Sequence, residues 1–338
     1  MKKALITGVS GQDGSYLSQL LLSKGYHVTG TMRRNSLDEL ERLRKINIAE
    51  QIETLTVELG DINSITRVIR DGQYDEIYNL AAQSFVVSSW DQPVYTSDVN
   101  AMGVVRLLDS IRTYSPDARF YQASTSEMFG RVREVPQSEM TAFHPRSPYG
   151  AAKAYGHYIT MNYRESFGMH ASSGILFNHE SPLRGPEFVT RKVTLGLAQI
   201  ARGDDHVIEL GNLNAKRDWG FAGDYVEGMW RMLQQDTPDD YVLATGTTTS
   251  IRDFINYACD ALGIELAWEG EGEKETATDT KTGKTVIAVN PKFYRPAEVD
   301  ILIGDATKAR ENLGWTPRTN IKDLAAMMAR ADYDAAIR

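Results

Sequence analysis

Short apolar runs alternate with longer amphipathic stretches through the first half of the chain. KALITGV at residues 3–9 is typical of a buried strand, and DGSYLSQLLLSKG at 13–25 is typical of a helix, with Leu17, Leu20 and Leu21 at helical spacing. Further strand-like runs, separated by helical stretches, are HVTGTM (27–32), IETLTVELG (52–60), EIYNLAA (76–82), RFYQAST (119–125) and SSGILFN (172–178). Because strands that alternate with helices form a parallel sheet covered on both faces, the pattern predicts a doubly wound α/β fold of the Rossmann type.

The sequence pattern changes at about residue 181. Beyond it, prolines and glycines interrupt the regular alternation, and basic residues recur among predicted loops. The charged segment 269–289 contains KTGK at 281–284, which predicts a hairpin turn between two strands. Residues 320–337 have the pattern of an amphipathic closing helix. We predict a cofactor-binding Rossmann domain over residues 1–180, with room for a later strand that crosses back, and a smaller C-terminal α/β substrate lobe over 181–338.

Composition and charge narrow the classes of partner. The 338 residues are 42% hydrophobic and 24% charged, as in ordinary globular proteins. A net charge of −8 argues against a general binder of nucleic acid or anionic membrane, although a local basic pocket can still hold a small anion. Cys259 is the single cysteine, so a reducing compartment is expected. The first apolar stretch is too short for a signal peptide, and no cluster has metal-ligand spacing. We expect a cytoplasmic protein with no metal, nucleic-acid partner or membrane.

Three glycines stand between the first predicted strand and the first predicted helix. ITGVSGQDG places Gly8, Gly11 and Gly14 there. Glycines at such positions allow a tight turn, a close backbone approach to a pyrophosphate and close helix packing, and the helix N-terminus favours phosphate. The alternative is that the glycines serve the turn alone. The pattern predicts a dinucleotide site.

The end of the second predicted strand bears on the choice of cofactor. GTMRRNS places Arg33 and Arg34 where an acid would favour a free ribose 2′-hydroxyl, and the first acid is Asp38. Two guanidinium groups suit a phosphate dianion, so we predict NADP rather than NAD. A surface arginine pair is the alternative interpretation. Asp61 and the segment Leu80–Ser84 lie at later strand ends and would complete the adenine and nicotinamide walls.

The candidate chemistry lies in STSEMFG (124–130) and SPYGAAKAYG (147–156). Tyr149 and Lys153 share one face of a predicted helix. A free tyrosine has a pKa of about 10, but a neighbouring lysine cation and an oxidised nicotinamide both favour the phenolate. The phenolate can then take a proton from a hydroxyl while hydride leaves for the cofactor. From the residues alone, Glu127 is equally well explained as a carboxylate that makes a local hydrogen bond.

These motifs carry a family resemblance. TGxxGxxG, the hydroxyl-rich strand end and YxxxK resemble the extended short-chain dehydrogenase/reductase superfamily. QASTSEMFG, PRSPYGAAK, GILFNHESPLRG, FVTRKV, LGNLNAKRDWG, DYVEGMW and FYRPAEVD are similar to the GDP-mannose 4,6-dehydratase family over nearly the whole chain.

The resemblance implies the residues of the site. The implied catalytic set is Thr125, Glu127, Tyr149 and Lys153. The implied NADP contacts are Gly8, Val9, Ser10, Gly11, Gln12, Asp13, Gly14, Arg33, Arg34, Asn35, Ser36, Asp61, Ile62, Leu80, Ala81, Ala82, Gln83, Ser84, Tyr95, Tyr149, Lys153, His179 and Arg184. The implied sugar-nucleotide contacts are Asn178, Arg184, Val189, Lys192, Arg217, Arg295 and Glu298. For any single arginine a structural ion pair is as good an explanation, and His179 alone suggests a hydrogen-bonded loop histidine.

The activity that the resemblance implies is conversion of GDP-D-mannose to GDP-4-keto-6-deoxy-D-mannose and water. Tyr149 would deprotonate the hydroxyl on carbon 4, and Thr125 would hydrogen-bond the developing oxyanion. Glu127 would remove the proton on carbon 5 as water leaves carbon 6, and NADP would be regenerated in each turnover. Relatives that act on thymidine-linked glucose carry Asp where this chain has Ser126. We hypothesise that Glu127 therefore also protonates the departing water.

Two other functions stay open on the same motifs. A GDP-hexose reductase or epimerase keeps the tyrosine and lysine but needs no base at Glu127, and a catalytically silent NADP-binding regulator needs none of the four residues. The intact catalytic set argues against the regulator, and a reductase would have to consume NADPH. Members of the family are dimers or tetramers, with the loop around residues 33–42 near a neighbouring cofactor site. We therefore expect a homodimer or a homotetramer.

Overall fold

The computed structural model describes residues 1–35, 39–293 and 302–335. The strands are β1 (Lys3–Thr7), β2 (His27–Met32), β3 (Glu53–Thr56), β4 (Glu76–Asn79), β5 (Arg119–Thr125), β6 (Ala171–Leu176), β7 (Asn178–Glu180), β8 (Ile208–Leu210), β9 (Lys216–Arg217), β10 (Trp219–Phe221), β11 (Tyr241–Leu243), β12 (Thr249–Ser250), β13 (Leu266–Glu269), β14 (Thr276–Asp279) and β15 (Thr285–Val289). The helices are α1 (Gln12–Ser23), α2 (Glu41–Lys45), α3 (Ile62–Gly72), α4 (Ser88–Asp91), α5 (Pro93–Ser97), α6 (Gly103–Tyr114), α7 (Pro148–Phe167), α8 (Val189–Ala201), α9 (Ala222–Met232), α10 (Ile251–Leu262), α11 (Thr307–Leu313) and α12 (Ile321–Ala335).

Seven strands form one sheet in the order β11–β6–β5–β4–β1–β2–β3. Every neighbouring pair in it is parallel. All residues of β4 and β6 are buried, as expected for strands that are covered on both faces. The predicted doubly wound parallel fold is confirmed.

The glycine loop lies at the point where the winding of this sheet reverses. β1 and β4 are neighbours, while β2 and β3 lie on the other side of β1, so a crevice opens beyond the carboxyl ends of β1 and β4. Gly8 has φ +71°, and a Cβ added there would lie 2.9 Å from the Cα of Ala81. A glycine is therefore required at position 8 both by the backbone conformation and by the segment after β4.

The later part of the chain builds a second region with its own core. Its sheet has the order β13–β14–β15–β8, and α8, α10 and α12 pack on one another beside it. Trp219, Phe254 and Met328 are buried in this core. The predicted hairpin is confirmed, because β14 pairs with β15 in antiparallel fashion and Gly283 takes a positive φ at the turn. The predicted closing helix is α12.

Some later segments pack on the first sheet. β11 pairs with β6, and α9 packs on α1. The carboxylate of Asp240, just before β11, pairs with Arg164 at 2.7 Å and accepts a hydrogen bond from the Ser173 N–H at 2.9 Å. The division of the chain into 1–180 and 181–338 remains a prediction, and these segments lie beyond its boundary. None of the described helices is long and apolar enough to cross a bilayer.

Candidate functional site

The backbone of the glycine loop leaves the start of α1 open. Gly11 precedes α1 in extended conformation, and no described side chain caps the free N–H groups of the first turn. A Cβ added at Gly14 would lie 2.5 Å from the Gly8 carbonyl oxygen, so the loop closes tightly on the helix. An uncapped helix N-terminus behind a close-packed glycine loop fits the diphosphate of a dinucleotide.

The two predicted cofactor-selecting arginines lie directly after β2. Arg33, Arg34 and Asn35 are exposed, and the Arg33 guanidinium donates a hydrogen bond to the Tyr95 hydroxyl at 2.7 Å. The structure thus brings together two residues that are 62 positions apart in the chain. Ser36, also predicted to contact the cofactor, lies outside the described residues.

Polar contacts hold the chain segments that follow β3 and β4. Asp61 caps α3, because its carboxylate accepts hydrogen bonds from the Asn63 and Ser64 N–H groups, and Ile62 is the first residue of that helix. The segment that follows β4, predicted to form a cofactor wall, contains Leu80, Ala81, Ala82, Gln83 and Ser84. The Leu80 and Ala81 N–H groups donate to the Thr7 hydroxyl at 3.1 Å. The side chain of Asn100 exchanges two hydrogen bonds with the backbone of Gln83.

A buried chain of hydrogen bonds crosses the central strands beneath the crevice. The Thr7 hydroxyl donates to Asn79 at 2.7 Å, and the Asn79 amide donates to Gln122 at 2.8 Å. The Gln122 amide and the Lys153 ammonium both donate to the Ala123 carbonyl oxygen, at 3.1 and 2.9 Å. We call this chain the polar ladder. It fixes the Lys153 ammonium relative to β1, β4 and β5.

The start of α7 brings the predicted catalytic residues together. Ser147 caps the helix by accepting a hydrogen bond from the Gly150 N–H at 3.0 Å, and Pro148 occupies the first turn. A Cβ added at Gly150 would lie 2.7 Å from the Glu127 carbonyl oxygen, so α7 touches the backbone that follows β5. This contact sets Tyr149, the second residue of α7, beside the end of β5.

Thr125, Glu127, Tyr149 and Lys153 form one group. The Thr125 hydroxyl accepts a hydrogen bond from the Glu127 N–H at 3.3 Å, and the Lys153 ammonium lies 5.8 Å from the centre of the Tyr149 ring. Tyr149 and Lys153 are buried, whereas Thr125 and Glu127 are partly exposed. A phenol, an ammonium group, a hydroxyl and a carboxylate therefore lie together where β5 ends and α7 begins.

Burial is the main cause of the pKa shifts of Tyr149 and Lys153. Burial raises the pKa of Tyr149 to about 12, helped by the nearby Glu127 and opposed by the Thr125 hydroxyl and by Arg184. Burial lowers the pKa of Lys153 to about 8, against the opposing effect of Asp13. The side chains of the site alone therefore keep Tyr149 protonated at neutral pH.

Ser126, the position of departure from the thymidine-sugar relatives, is 1% exposed. It lies in the helical turn Ser126–Met128 between two partly exposed residues, Thr125 and Glu127. Within this turn, Glu127 is therefore the acid at the cleft.

Arg184 enters the cleft from the second region. Its guanidinium lies 3.5 Å from the centre of the Phe188 ring, and its Nε is 3.0 Å from the carboxylate of Glu180. Phe188 in turn packs edge-on against Phe85, in the segment after β4, with ring centres 6.0 Å apart. Arg184 also lowers the pKa of Tyr149, so it is within electrostatic reach of the catalytic group.

The glycine loop is bound directly to the segment that carries Arg184. The Gln12 amide donates to the His179 carbonyl oxygen at 3.0 Å and accepts from the Ser181 hydroxyl at 2.7 Å. The His179 ring lies 2.8 Å from the Asp13 carboxylate. Gln12, Asp13 and His179 were each expected to contact the cofactor, and in the structure they contact one another.

Arg42 is a residue of the site that the sequence did not reveal. Its guanidinium donates to the Leu183 carbonyl oxygen at 2.7 Å and to the Ser10 carbonyl oxygen at 3.1 Å. It thus joins α2 to the glycine loop and to the segment before Arg184. Its position in the basic run ERLRK gives no local signal of these contacts, because both partners are distant in sequence.

The predicted sugar-nucleotide residues are spread over short elements of the second region. Asn178 starts β7, Val189 starts α8, and Arg217 ends β9. The Lys192 ammonium lies 4.0 Å from the centre of the Phe293 ring and donates to the Glu209 carbonyl oxygen. Arg295 and Glu298 lie outside the described residues. Among the described residues, no three His, Cys, Asp or Glu side chains are grouped to hold a metal ion.

Comparison with known proteins places this architecture in a family. The sequence profile described as GDP-mannose 4,6 dehydratase matches residues 5–328. The chain belongs to the GDP-mannose 4,6-dehydratase family. A relative with the same activity in its name, from Sinorhizobium fredii, is 52% identical over 98% of this chain and 96% of its own.

Solved structures share the fold of this family member at low sequence identity. RMD from Pseudomonas aeruginosa, complexed with NADPH, has a TM-score of 0.77 at 19% identity and covers 99% of this chain and 100% of its own. dTDP-glucose 4,6-dehydratase from Bacillus anthracis, in complex with NAD, has a TM-score of 0.79 at 18% identity, over 99% and 97%. Proteins of this fold thus bind NADPH in one case and NAD in the other.

Proposed function

We propose that this protein is an NADP-dependent GDP-mannose 4,6-dehydratase, which converts GDP-D-mannose to GDP-4-keto-6-deoxy-D-mannose and water. The observation that carries the proposal is the position of Glu127. Its backbone is hydrogen-bonded to Thr125, its charge acts on Tyr149, and its side chain is partly exposed at the cleft. Oxidation at one carbon needs only the tyrosine, whereas elimination of water needs a further base, and Glu127 supplies it.

The residues divide the proton transfers between them. Tyr149 takes the proton of the hydroxyl on carbon 4, and the Thr125 hydroxyl donates a hydrogen bond to the oxygen left behind. Glu127 takes the proton from carbon 5, which the new ketone acidifies, and returns a proton to the hydroxyl that leaves carbon 6 as water. NADP, when bound, would accept the hydride from carbon 4 and donate it to carbon 6. Carbon 5 then takes up one proton, which balances the proton that Tyr149 took from the carbon-4 hydroxyl, so no external reductant is consumed.

Lys153 contributes its charge and its fixed position. The ammonium is held by the polar ladder and lies beside Tyr149, where a positive charge favours the phenolate. Because the pKa of Lys153 is lowered to about 8, it is mostly charged at neutral pH and loses this charge in mild alkali. The rate of carbon-4 oxidation therefore depends on both members of the pair.

The choice of NADP rests on the arginines after β2. Arg33 and Arg34 are exposed at the edge of the crevice, and Arg33 is oriented by the Tyr95 hydroxyl. Guanidinium groups bind phosphate oxygens in pairs, which suits a ribose 2′-phosphate. The diphosphate of the sugar nucleotide is assigned to the basic residues of the second region, of which Arg184 also lowers the pKa of Tyr149. A cytoplasmic location and a homodimer or homotetramer remain expectations.

The activity is tested with GDP-mannose in the absence of added reductant. The cofactor-loaded protein should convert it to a product lighter by one water, as measured by mass spectrometry. Tyr149→Phe is the matched control, since it removes only the hydroxyl. A protein that needs NADPH and releases no water is a reductase, a protein that inverts a centre without loss of mass is an epimerase, and a protein that binds NADP but leaves the sugar unchanged is a regulator. Each of these outcomes contradicts the proposal.

A further inference from the structure

Asp13 and His179 form a pair at the junction of the two regions. Asp13 lies in the first turn of α1 and His179 lies in β7, 166 positions later. The His179 Nδ1 is 2.7 Å from the Phe177 carbonyl oxygen, and its Nε2 is 2.8 Å from the Asp13 carboxylate. Both partners accept hydrogen bonds, so the ring donates from both nitrogens, as only the imidazolium can.

The surroundings of the ring are consistent with this charge. Burial alone would lower the pKa of His179, but the charge of Asp13 and its hydrogen bond outweigh burial and raise it. The opposing cation is Arg184, and the ring stacks on the uncharged Tyr225 at 4.8 Å between ring centres. Reciprocally, His179 and Arg184 lower the pKa of the Asp13 carboxylate against the effect of burial.

An unpaired carboxylate at this place would oppose ligand binding. The first turn of α1 is the part of the loop that fits a diphosphate, and an anion placed there repels another anion. Asp13 also raises the pKa of Tyr149, which works against the phenolate. A cation bound to Asp13 opposes both effects, while the hydrogen bonds of His179 keep β7 on the glycine loop.

We infer that Asp13 and His179 are positioning residues that act as one ion pair, which cancels the charge of Asp13 under the dinucleotide diphosphate and fixes the segment that carries Arg184. This inference rests on the proposed use of NADP. If Asp13 and His179 each contacted the cofactor independently, each would contribute its own part of the binding free energy. If they act as one ion pair, the effects of substituting them depend on each other.

A double-mutant cycle on cofactor affinity separates the two interpretations. The protein is freed of cofactor, and the Kd for NADP is measured by calorimetry for the wild type, His179→Gln, Asp13→Asn and the double variant. His179→Gln leaves the partly buried Asp13 carboxylate without its paired imidazolium and should weaken binding at least about tenfold. Asp13→Asn should stay within about threefold of the wild type, and the double variant should regain most of the affinity that His179→Gln lost.

A matched control is His170→Gln. His170 also contacts a carbonyl oxygen, that of Gln235 at 2.8 Å, but it directly precedes β6, whereas His179 follows the other end of that strand. Its substitution should not change the Kd for NADP. If the losses of the single variants multiply in the double variant, the two residues act independently and the inference is overturned. If the wild type does not bind NADP, the proposed function itself fails, and this inference with it.

The protonation state of His179 can also be measured in the wild-type protein, so the main result does not depend on the stability of a variant. The chain has 6 histidines, so ¹⁵N-labelled histidine gives few resonances, and the spectrum of any soluble His179 variant identifies the one sought. In the cofactor-free wild type at neutral pH, both ring nitrogens of His179 should carry protons. A neutral ring there overturns the inference.

Discussion

The two sides of the cleft are built from different kinds of structure. On the cofactor side, Tyr149 and Lys153 lie on α7, which has 20 residues, and the polar ladder joins α7 to strands buried in a seven-stranded sheet. On the sugar-nucleotide side, the described residues of the predicted set lie on β7, β9 and α8, which have 3, 2 and 13 residues, and on the segment between β7 and α8. Tyr149 and Lys153 are positioned by one long helix and the sheet, whereas Arg184 on the second side is positioned by individual side-chain contacts.

This difference predicts how each side responds to substitution. We expect substitutions at Glu127, Tyr149 and Lys153 to affect the chemical steps, because the polar ladder and the start of α7 fix their positions. We expect substitution of Arg184 to affect binding, because one ring contact and one carboxylate contact hold it.

The largest expected effect is that of Glu127→Gln. Loss of the base should lower the rate of water release by about 10²- to 10⁴-fold, while carbon 4 is still oxidised. Mass spectrometry of the product, together with single-turnover absorbance of the reduced nicotinamide, separates the two steps. Glu165→Gln, an exposed carboxylate on α7, is the control and should behave as the wild type. Near-normal water release from the oxidised intermediate would contradict a double role for Glu127.

Asp240→Asn tests whether the stability of the first sheet depends on the later part of the chain. The variant leaves Arg164 without its buried partner and should lower the free energy of unfolding by about 3 kcal/mol. Burial would raise the pKa of Asp240, but the Arg164 hydrogen bond and nearby charges outweigh it and lower it. This stabilisation is therefore complete above the unfolded-state pKa and is lost as the pH falls through the folded-state pKa.

Urea unfolding at neutral and acidic pH measures both parts of this prediction. The difference between the wild type and Asp240→Asn should shrink in acid. Asp71→Asn, which removes an exposed pair with Arg70, should leave the urea midpoint unchanged. Equal effects of the two substitutions would mean that the β11 segment is not anchored through Asp240.

Arg184→Lys should weaken binding rather than chemistry. Lysine cannot keep both the flat contact with Phe188 and the Nε contact with Glu180, so we expect a rise in KM for GDP-mannose of about tenfold, with kcat less affected. Steady-state kinetics provide the measurement. Arg112→Lys is a matched control, since Arg112 also lies over a phenylalanine ring, that of Phe167, and pairs with Asp109, but on the outer surface of α6. A pure loss of kcat in Arg184→Lys would place this residue with the first side.

An effect of similar size is expected on cofactor choice. Arg33→Ala and Arg34→Ala should each weaken NADP binding about tenfold and leave NAD binding unchanged, because the lost contacts are to the 2′-phosphate. Calorimetric titration of both cofactors measures the preference, with the exposed Arg70→Ala as a control. An unchanged preference in both variants would reject the assignment of NADP.

Sequence reasoning reached the first side of the cleft because its signals are local. Gly8, Gly11 and Gly14 predict the loop. The spacing of Tyr149 and Lys153 puts them on one helix face. The alternation of strands and helices then requires their strand ends to meet. Even the capping role of Asp61 has a local signal, since an Asp directly before a helical run is a common cap.

The contacts between the two sides have no local signal in the sequence. The contacts of Arg42 with Ser10 and Leu183 depend on how α2 packs against segments far along the chain. The pairing of Asp13 with His179 arises only when β7 returns to the glycine loop. Glu180 and Phe188 hold Arg184, yet nothing in their spacing distinguishes them from ordinary loop residues. The resemblance located Arg184 but not the residues that fix it.

The polar ladder has a consequence for protein engineering. Each of its members, from Thr7 to Lys153, lies in the first 153 residues, and its hydrogen bonds connect only β1, β4, β5 and α7. The hydrogen bonds that align the lysine therefore lie within one contiguous stretch of gene. Grafting the sugar-recognition segments of a related enzyme onto this chain would exchange the specificity module and leave the alignment of the lysine intact.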